Sequence, residues 1–206
     1  MMKRIPFFDR LKVSRETIES IKRYMNLLIE WNSKVNLVSK NSINDIWKRH
    51  ILDSAQLINF VDFGTKKWVD LGSGAGFPGL IIASLAKDKY PHLSVSLVES
   101  NKRKCVFLGQ AAQILKVNVD IYPVRIQDCS FEDVDIVSAR ALAPIKELIP
   151  YINLFGNKNC KGLFLKGKNI FEELKAIKDI DSFKIKVNPS LVGSTGCILE
   201  IEKRKG

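Results

Sequence analysis

Residues 68–79 read WVDLGSGAGFPG and join a short apolar run to a glycine-rich turn. The apolar run is typical of a buried strand, and Gly72, Gly74 and Gly76 follow it at alternate positions. Glycine adopts positive φ and lets a ligand lie against bare backbone. Pro78 suits the first turn of a helix, where a missing N–H costs nothing. We therefore predict a strand, a ligand-binding loop and a helix, in that order.

The acid before the loop decides which ligand it suits. The spacing Gly74-x-Gly76-x-x-Gly79 matches the dinucleotide fingerprint, and Glu99 lies at about the distance expected for an acid that binds the ribose of NAD. A pyrophosphate, however, prefers donors and positive potential at this place, whereas Asp70 ends the strand. S-adenosylmethionine has no phosphate and carries a sulfonium and an ammonium group, so an acid suits it. We predict S-adenosylmethionine as the cofactor; NAD and an ordinary glycine-rich turn are the alternatives.

The composition fits one α/β domain with an extension. The chain has 206 residues, of which 46% are hydrophobic, which is enough for a substantial core. Lys and Arg number 33 against 22 Asp and Glu, a net charge of +11, and such a surface attracts RNA, DNA or acidic membrane. Four widely spaced cysteines show no metal-ligand pattern, so we expect no metal site and reduced thiols. No signal peptide or transmembrane run is evident, and no exposed apolar stripe demands a partner, so we expect a cytoplasmic monomer without a membrane anchor.

The order of elements suggests two parts. Residues 1–65 look helical, with Ser14 as an N-cap and a second helical stretch over residues 42–60, and they form a predicted cap. Residues 66–206 form the predicted core. Up to Lys67 the chain has 13 Lys and Arg against 7 Asp and Glu, so the basic excess is concentrated at this end of the chain. We expect the cap to supply substrate contacts, to cover one face of the sheet, or both.

Strand-like and helix-like runs alternate from Trp68 onward, which indicates a mostly parallel sheet. The predicted strands are residues 68–71, 93–99, a third ending near 127, 133–138, 162–166, 183–187 and 197–201, of which the last two form an antiparallel pair. We predict a Rossmann-like, class I S-adenosylmethionine-dependent methyltransferase fold with a seven-stranded sheet and an N-terminal helical extension.

In this architecture ligands bind at the carboxyl ends of the strands. Glu99 ends the second strand, where we expect it to accept hydrogen bonds from both ribose hydroxyls; the alternative is a helix-start carboxylate favoured by the macrodipole. Ile126 is expected to pack on the adenine, and Gln127 to read its edge through its backbone or amide. Asp128 is the competing choice for the adenine amino group.

The methyl acceptor is expected at the end of the fourth strand. Amino-group methyltransferases place an Asn/Asp-Pro-Pro-aromatic run there, and cytosine C5 enzymes need a nucleophilic cysteine, but the sequence offers only Arg140. An acceptor with a ready lone pair, such as guanine N7, needs no base, and the protein then only aligns the reactants, excludes water and stabilises charge. We expect Arg140 to position the cofactor carboxylate or the acceptor edge of the guanine; the alternative is a structural salt bridge.

Residues 49–54 are the most polar patch of the cap. Arg49 either grips a phosphate bidentately or pairs with Asp45 or Asp53 along the helix. His50 is one of two histidines in the chain and is either a surface or core residue or a catalytic one.

Several stretches together resemble the small-subunit ribosomal RNA methyltransferase G family, also called RsmG or GidB. The matching stretches, in the family's order, are residues 31–38, 49–54, 69–79, 137–141 and 165–167. The resemblance implies N7 methylation of a guanosine in 16S rRNA, free or in the 30S subunit, with S-adenosylmethionine as donor. It places cofactor contacts on Gly72, Phe77, Ile126, Gln127 and Arg140.

The other site residues are assigned alongside these. From the loop and strand ends we add Asp70, Gly74, Gly76 and Glu99 as cofactor contacts, and we assign contacts with RNA to Asn36, Arg49, His50 and Lys166. The chain departs from the family at residues 126–127, where Ile-Gln replaces a small-plus-acidic pair, and it is short beyond Lys203. Two other functions remain open: a small-molecule methyltransferase, and a cofactor-binding regulatory protein without turnover.

Overall fold

The computed structural model describes residues 6–177, 179–193 and 196–204. The strands are β1 (Lys67–Leu71), β2 (Ser94–Val98), β3 (Asp120–Tyr122), β4 (Val134–Arg140), β5 (Gly156–Lys166), β6 (Phe183–Pro189) and β7 (Cys197–Lys203). They form one sheet in the order β3-β2-β1-β4-β5-β7-β6. The pairs among β1 to β5 are parallel, and β7 is antiparallel to both of its neighbours. The predicted fold class is therefore confirmed.

The helices precede and alternate with the strands. They are α1 (Pro6–Arg10), α2 (Arg15–Asn32), α3 (Lys40–Ile43), a π-helix (Trp47–Leu52), α4 (Asp53–Ala55), α5 (Gly79–Ala86), α6 (Lys102–Leu115), α7 (Ile145–Phe155) and α8 (Ile170–Lys175), with 3₁₀ turns at Gln56–Phe60, Ile126–Asp128 and Ile180–Ser182. Ser14 caps α2 as predicted, because its hydroxyl oxygen accepts the Thr17 N–H at 3.1 Å. None of the described helices is long and apolar enough to cross a membrane.

Two predicted elements differ from the structure. The helix predicted over residues 42–60 is broken into α3, the π-helix, α4 and a 3₁₀ turn. A π-helical turn holds an extra residue and is frequent at functional sites, and here it carries His50. The third strand ends at Tyr122 rather than near 127; it is followed by Pro123, a residue type that strands disfavour, and then by the 3₁₀ turn.

Alternate residues of the strands face two different hydrophobic clusters. Trp68 of β1 and Ile136 of β4 belong to the cluster formed with α2, α5 and α6. Val69 and Val137, the next residue on each strand, belong to the cluster formed with α7. Both faces of the parallel sheet are thus covered, as such sheets require.

The predicted cap packs directly on the core. Tyr24 and Leu28 of α2 are fully buried in the same cluster as Trp68 and Phe107. The predicted boundary near residue 65 lies just before β1 begins at Lys67. The division into residues 1–65 and 66–206 stays a prediction, since the two parts share one hydrophobic cluster.

Candidate active site

The glycine loop after β1 has the backbone that its sequence predicts. Gly72, Gly74 and Gly76 have φ of 63°, 56° and 92°, which L side chains rarely adopt. A Cβ on Gly72 would lie 2.5 Å from Leu142, whereas a Cβ on Gly74 would meet only a backbone oxygen 3.7 Å away. The loop is therefore packed tightly at Gly72 and presents open backbone at Gly74.

Asp70 braces the loop from below. Its carboxylate is fully buried and accepts the Ser138 hydroxyl at 2.7 Å and the Gly79 N–H at 3.2 Å. Burial raises the pKa of Asp70 to about 6. This carboxylate joins β1 to the start of α5 and to β4, and it does not line the cavity beside the loop. This buried position does not favour the predicted direct contact between Asp70 and the cofactor.

Glu99 holds the loop from the side. One carboxylate oxygen accepts the Gly74 N–H at 3.0 Å, and the other accepts the Asn101 N–H at 2.8 Å. Asn101 itself caps α6 by accepting the N–H groups of Arg103 and Lys104. Each oxygen of Glu99 retains acceptor capacity, which suits the expected role at the ribose, while the helix-capping role belongs to Asn101.

A cavity of about 380 Å³ opens between the glycine loop, the π-helix and the end of β4. Its volume lies within the usual range of about 300–1,000 Å³ for small-molecule sites. It brings together six predicted site residues: Arg49, His50, Gly72, Gly74, Phe77 and Arg140. Larger grooves exist elsewhere, such as one of about 760 Å³ beside α7, but none of the predicted site residues borders that groove.

Arg140, at the end of β4, joins the core to the cap through hydrogen bonds beside this cavity. Its Nε donates to Asp53 Oδ2 at 3.3 Å, and its Nη2 donates to the Arg49 carbonyl at 2.8 Å. Its Nη1 lies 2.6 Å from His50 Nδ1, and its guanidinium lies 5.9 Å from the centre of the Phe77 ring. Asp53 therefore pairs with Arg140 rather than with Arg49, a pair that was one of the alternatives for Arg49. The salt bridge expected as an alternative role of Arg140 is present.

His50 is a neutral core residue of the site. Burial, followed by the charges of Arg140 and Arg49, lowers the pKa of His50 to about 3. Its ring stacks on Phe77 with centroids 5.0 Å apart. Because Arg140 donates to Nδ1, the ring hydrogen lies on Nε2, which is buried and has no hydrogen-bond partner among the described residues. A pKa this far below neutral makes His50 a weak base, and its Nδ1 lone pair already accepts from Arg140, so it is a poor candidate for a general base.

Other predicted residues do not line the cavity. They are Asp70, Gly76, Glu99, Ile126, Gln127, Asn36 and Lys166. Ile126 and Gln127 lie on the 3₁₀ turn beyond β3, where Gln127 is exposed and Ile126 packs against the cluster on the α7 side of the sheet. Asn36 is exposed on the loop before the cavity-lining residues Leu37 and Val38.

Lys166 lies inside the fold rather than on the surface that a contact with RNA requires. Its side chain is 9% exposed, and its ammonium is 2.8 Å from Glu173. The same ammonium donates to the Ala143 carbonyl at 2.6 Å. Its charge is thus used within the protein, and this position does not favour the predicted RNA contact.

Three residues that shape the site were not predicted. Asn32 accepts the N–H groups of Leu37 and Val38 at 2.8 and 2.9 Å and so forms the loop that lines the cavity. Lys104 lines the cavity from α6, and the Tyr24 hydroxyl donates to a glycine-loop carbonyl. The helical spacing of Tyr24 is that of an ordinary core residue, so the sequence carried no signal for this contact.

The described residues provide no group of three or more His, Cys, Asp or Glu that could hold a metal ion.

Among solved structures, a ribosomal protein L11 methylase from Lactobacillus delbrueckii subsp. bulgaricus has a similar fold, with a TM-score of 0.61 and 16% identity over 74% of this chain and 77% of that one. An S-adenosylmethionine-dependent methyltransferase from Aquifex aeolicus gives a TM-score of 0.60 and 14% identity over 78% of this chain and 95% of that one. These similarities confirm the fold.

Sequence similarity defines the family. Ribosomal RNA small subunit methyltransferase G of Parvibaculum lavamentivorans is 41% identical over 94% of this chain and 86% of that protein. The protein of the same name from a Jannaschia species is 40% identical over 91% of this chain and 89% of that protein. The family model described as rRNA small subunit methyltransferase G, or GidB, matches residues 17–196. The chain therefore belongs to the rRNA small subunit methyltransferase G family, as its motifs predicted.

Proposed function

We propose that this protein transfers the methyl group of S-adenosylmethionine to N7 of a guanosine in 16S rRNA. The observation that carries the proposal is the composition of the cavity beside the glycine loop. Its described lining contains no Asp, Glu or Cys, and its imidazole, His50, is neutral and already accepts a hydrogen bond from Arg140. A reaction that needs a base or a protein nucleophile does not suit such a site, whereas guanine N7 attacks through its own lone pair.

The residues beside the loop fit the cofactor. The open backbone at Gly74 allows close approach, and Glu99 brings a carboxylate to the same position. When bound, S-adenosylmethionine supplies an electrophilic methyl group on a sulfonium. The chain would hold the ribose through Glu99 and keep the donor and acceptor aligned between the loop and the π-helix. Ile126 and Gln127 remain our proposed adenine contacts, since they follow β3, the neighbour of β2.

The chain stabilises this arrangement without a proton transfer. Arg140 is paired with Asp53 and donates to the cap, so it positions the wall of the site that carries His50 and Phe77. We assign it a positioning role. Because the acceptor loses no proton, alignment and exclusion of water are sufficient contributions from the protein.

The RNA is expected to approach across the basic mouth of the cavity. Arg49 and Lys104 line the cavity, and Asn36 lies exposed beside it. Lys102 and Arg103 are exposed in the first turn of α6, where the helix macrodipole disfavours cations. No carboxylate pairs with either of them within the described part of the chain. We propose that these cations contact phosphates of the substrate.

The test is a methylation assay on naked 16S rRNA and on 30S subunits from cells that lack the enzyme, with the product mapped by mass spectrometry. We expect one N7-methylguanosine, and a Glu99→Gln variant should raise KM for S-adenosylmethionine about tenfold, the effect of one charged hydrogen bond. Glu132→Gln makes the same change at an exposed position just before β4 and should leave KM unaltered. Label on an exocyclic amine or a ribose contradicts the proposal, and tight cofactor binding without RNA turnover favours a regulatory role.

We also propose that the protein acts in the cytoplasm as a monomer. Light scattering of the purified chain, alone and with a 16S rRNA fragment, measures its mass directly. A dimer mass in both samples contradicts this part of the proposal.

A further inference from the structure

Helix α2 of the cap reaches the glycine loop through a buried hydrogen bond. Tyr24 of α2 is fully buried, and its hydroxyl donates to the carbonyl of Ala75, in the middle of the loop. No other donor to this carbonyl is recorded within the described residues, and Ala75 is itself buried. A buried carbonyl needs a partner, so the loop depends on this hydroxyl.

The ring of Tyr24 is fixed by its neighbours. It packs edge-on against Phe77 with centroids 5.8 Å apart, and it lies 6.2 Å from Phe107 of α6. Phe77 follows the loop directly and stacks on His50 at the other side of the cavity. Burial raises the pKa of the Tyr24 hydroxyl well above its ordinary value, so it stays a hydrogen-bond donor.

The loop has a separate anchor at each of its other sides. Asp70 holds its base through Gly79, and Glu99 holds Gly74. Both anchors belong to the core, whereas Tyr24 belongs to the helical cap. The third side of the loop is therefore set by how α2 packs on the sheet.

We propose that Tyr24 is a positioning residue for the cofactor, through which the helical cap sets the conformation of the glycine loop. Because its side chain is fully buried, we assign it no contact with the cofactor or the RNA; it acts through the Ala75 carbonyl. The inference rests on the proposed function only in taking S-adenosylmethionine as the ligand of this loop. Without the hydroxyl, the loop of the free protein relaxes towards water, and binding has to restore it.

The test compares Tyr24→Phe, which removes one buried hydroxyl, with Ser20→Ala. Ser20 is also fully buried on α2, but its hydroxyl donates to the Thr17 carbonyl of the same helix and to no other group among the described residues. Calorimetry with S-adenosylmethionine and no RNA should show Kd about 5- to 30-fold weaker for Tyr24→Phe, which corresponds to one buried hydrogen bond. Ser20→Ala should bind within about twofold of the unmodified protein. KM for S-adenosylmethionine should rise in parallel, while KM for 30S subunits should stay constant.

Hydrogen exchange supplies a readout that does not depend on binding. Amides of residues 72–77 should exchange faster in Tyr24→Phe, with little change in β4 and β5. A lower Tm with unchanged Kd and unchanged loop exchange overturns the proposal, because Tyr24 is then only a core residue. Equal weakening of the cofactor by Ser20→Ala also overturns it. If the unmodified protein binds the cofactor but does not methylate rRNA, the proposed function fails while the result for Tyr24 still stands.

Discussion

His50 shows how one residue can be kept neutral in a strongly basic protein. The Arg140 guanidinium donates to its Nδ1, and Phe77 covers one face of the ring. Both burial and the neighbouring positive charges disfavour a second proton on the imidazole. The result is an uncharged, rigid wall for the cavity rather than a proton acceptor.

This state predicts a pH dependence of stability. The unfolded histidine binds a proton below about pH 6.5, whereas folded His50 does so only near pH 3. Stability from this group is therefore complete above pH 6.5 and is lost as the pH falls towards 3, by up to about 1.4 kcal/mol per pH unit. Asp70, with its raised pKa, changes stability in the opposite direction below about pH 6.

Comparison with a His50→Gln variant separates the two groups, since Asp70 is common to both proteins. Between pH 7 and 5 the free energy of unfolding of the unmodified protein should fall relative to that of the variant, measured by urea titration. Parallel curves for the two proteins would mean that His50 is protonated normally. NMR of the ring should show no titration of His50 in this range.

At the scale of elements, β5 and α8 are joined by Lys166 next to the connection that follows β4. Lys166, the last residue of β5, bonds to Glu173 of α8 and to the Ala143 carbonyl in the connection after β4. The pair is largely buried, so removal of one partner leaves the other without compensation. The position gives Lys166 a structural role in place of the surface contact that its sequence suggested.

Lys166→Met should therefore lower the free energy of unfolding by about 1–3 kcal/mol, the cost of leaving buried partners unsatisfied. Lys161→Met makes the same change on the same strand, where the ion pairs are more exposed, and should cost less than about 1 kcal/mol. Chemical denaturation measures both values. Unchanged stability together with a raised KM for 30S subunits would restore Lys166 as an RNA contact.

Over the whole molecule, exposed basic residues lie both beside the cavity and far from it, and we expect only the first group to bind RNA. Lys102 and Arg103 lie at the carboxyl edge of the sheet, where the cavity opens, because α6 begins directly after β2. Lys184 and Lys186 are exposed on β6, the edge strand at the other end of the sheet. Lysines on an edge strand discourage pairing with other chains, so the second pair has a role that requires no RNA.

The double variant Lys102→Gln/Arg103→Gln should weaken RNA binding and reduce the slope of log K against log salt by about 1.4 to 1.8, as expected for two lost phosphate contacts. Lys184→Gln/Lys186→Gln removes the same charge and should leave the slope close to that of the unmodified protein. Fluorescence anisotropy with a labelled 16S rRNA fragment over a salt series measures both slopes. An equal reduction of the slope in both variants would mean that RNA binding depends on net charge and not on the position of Lys102 and Arg103.

Local patterns in the sequence were sufficient for most of the elements and for the family. The glycine spacing after Trp68, the N-cap at Ser14 and the alternation of strand and helix depend on neighbouring residues alone, and the structure has them as predicted. The position of Glu99 beside the glycine loop was predictable in the same way, because the ends of adjacent parallel strands meet at one edge of a sheet.

Only the tertiary structure decided which partner each polar side chain takes. Asp53 and Arg140 are 87 residues apart, Tyr24 and Ala75 are 51 apart, and no periodicity links such pairs. The Asp70 carboxylate is buried because the Ser138 hydroxyl and the Gly79 N–H donate hydrogen bonds to it. The Lys166 ammonium is buried because Glu173 and the Ala143 carbonyl accept from it. The sequence does not specify which partner a charged or hydroxyl side chain will bind. Once the side chain is buried, its possible partners are the groups that the packing of distant elements brings within hydrogen-bond distance.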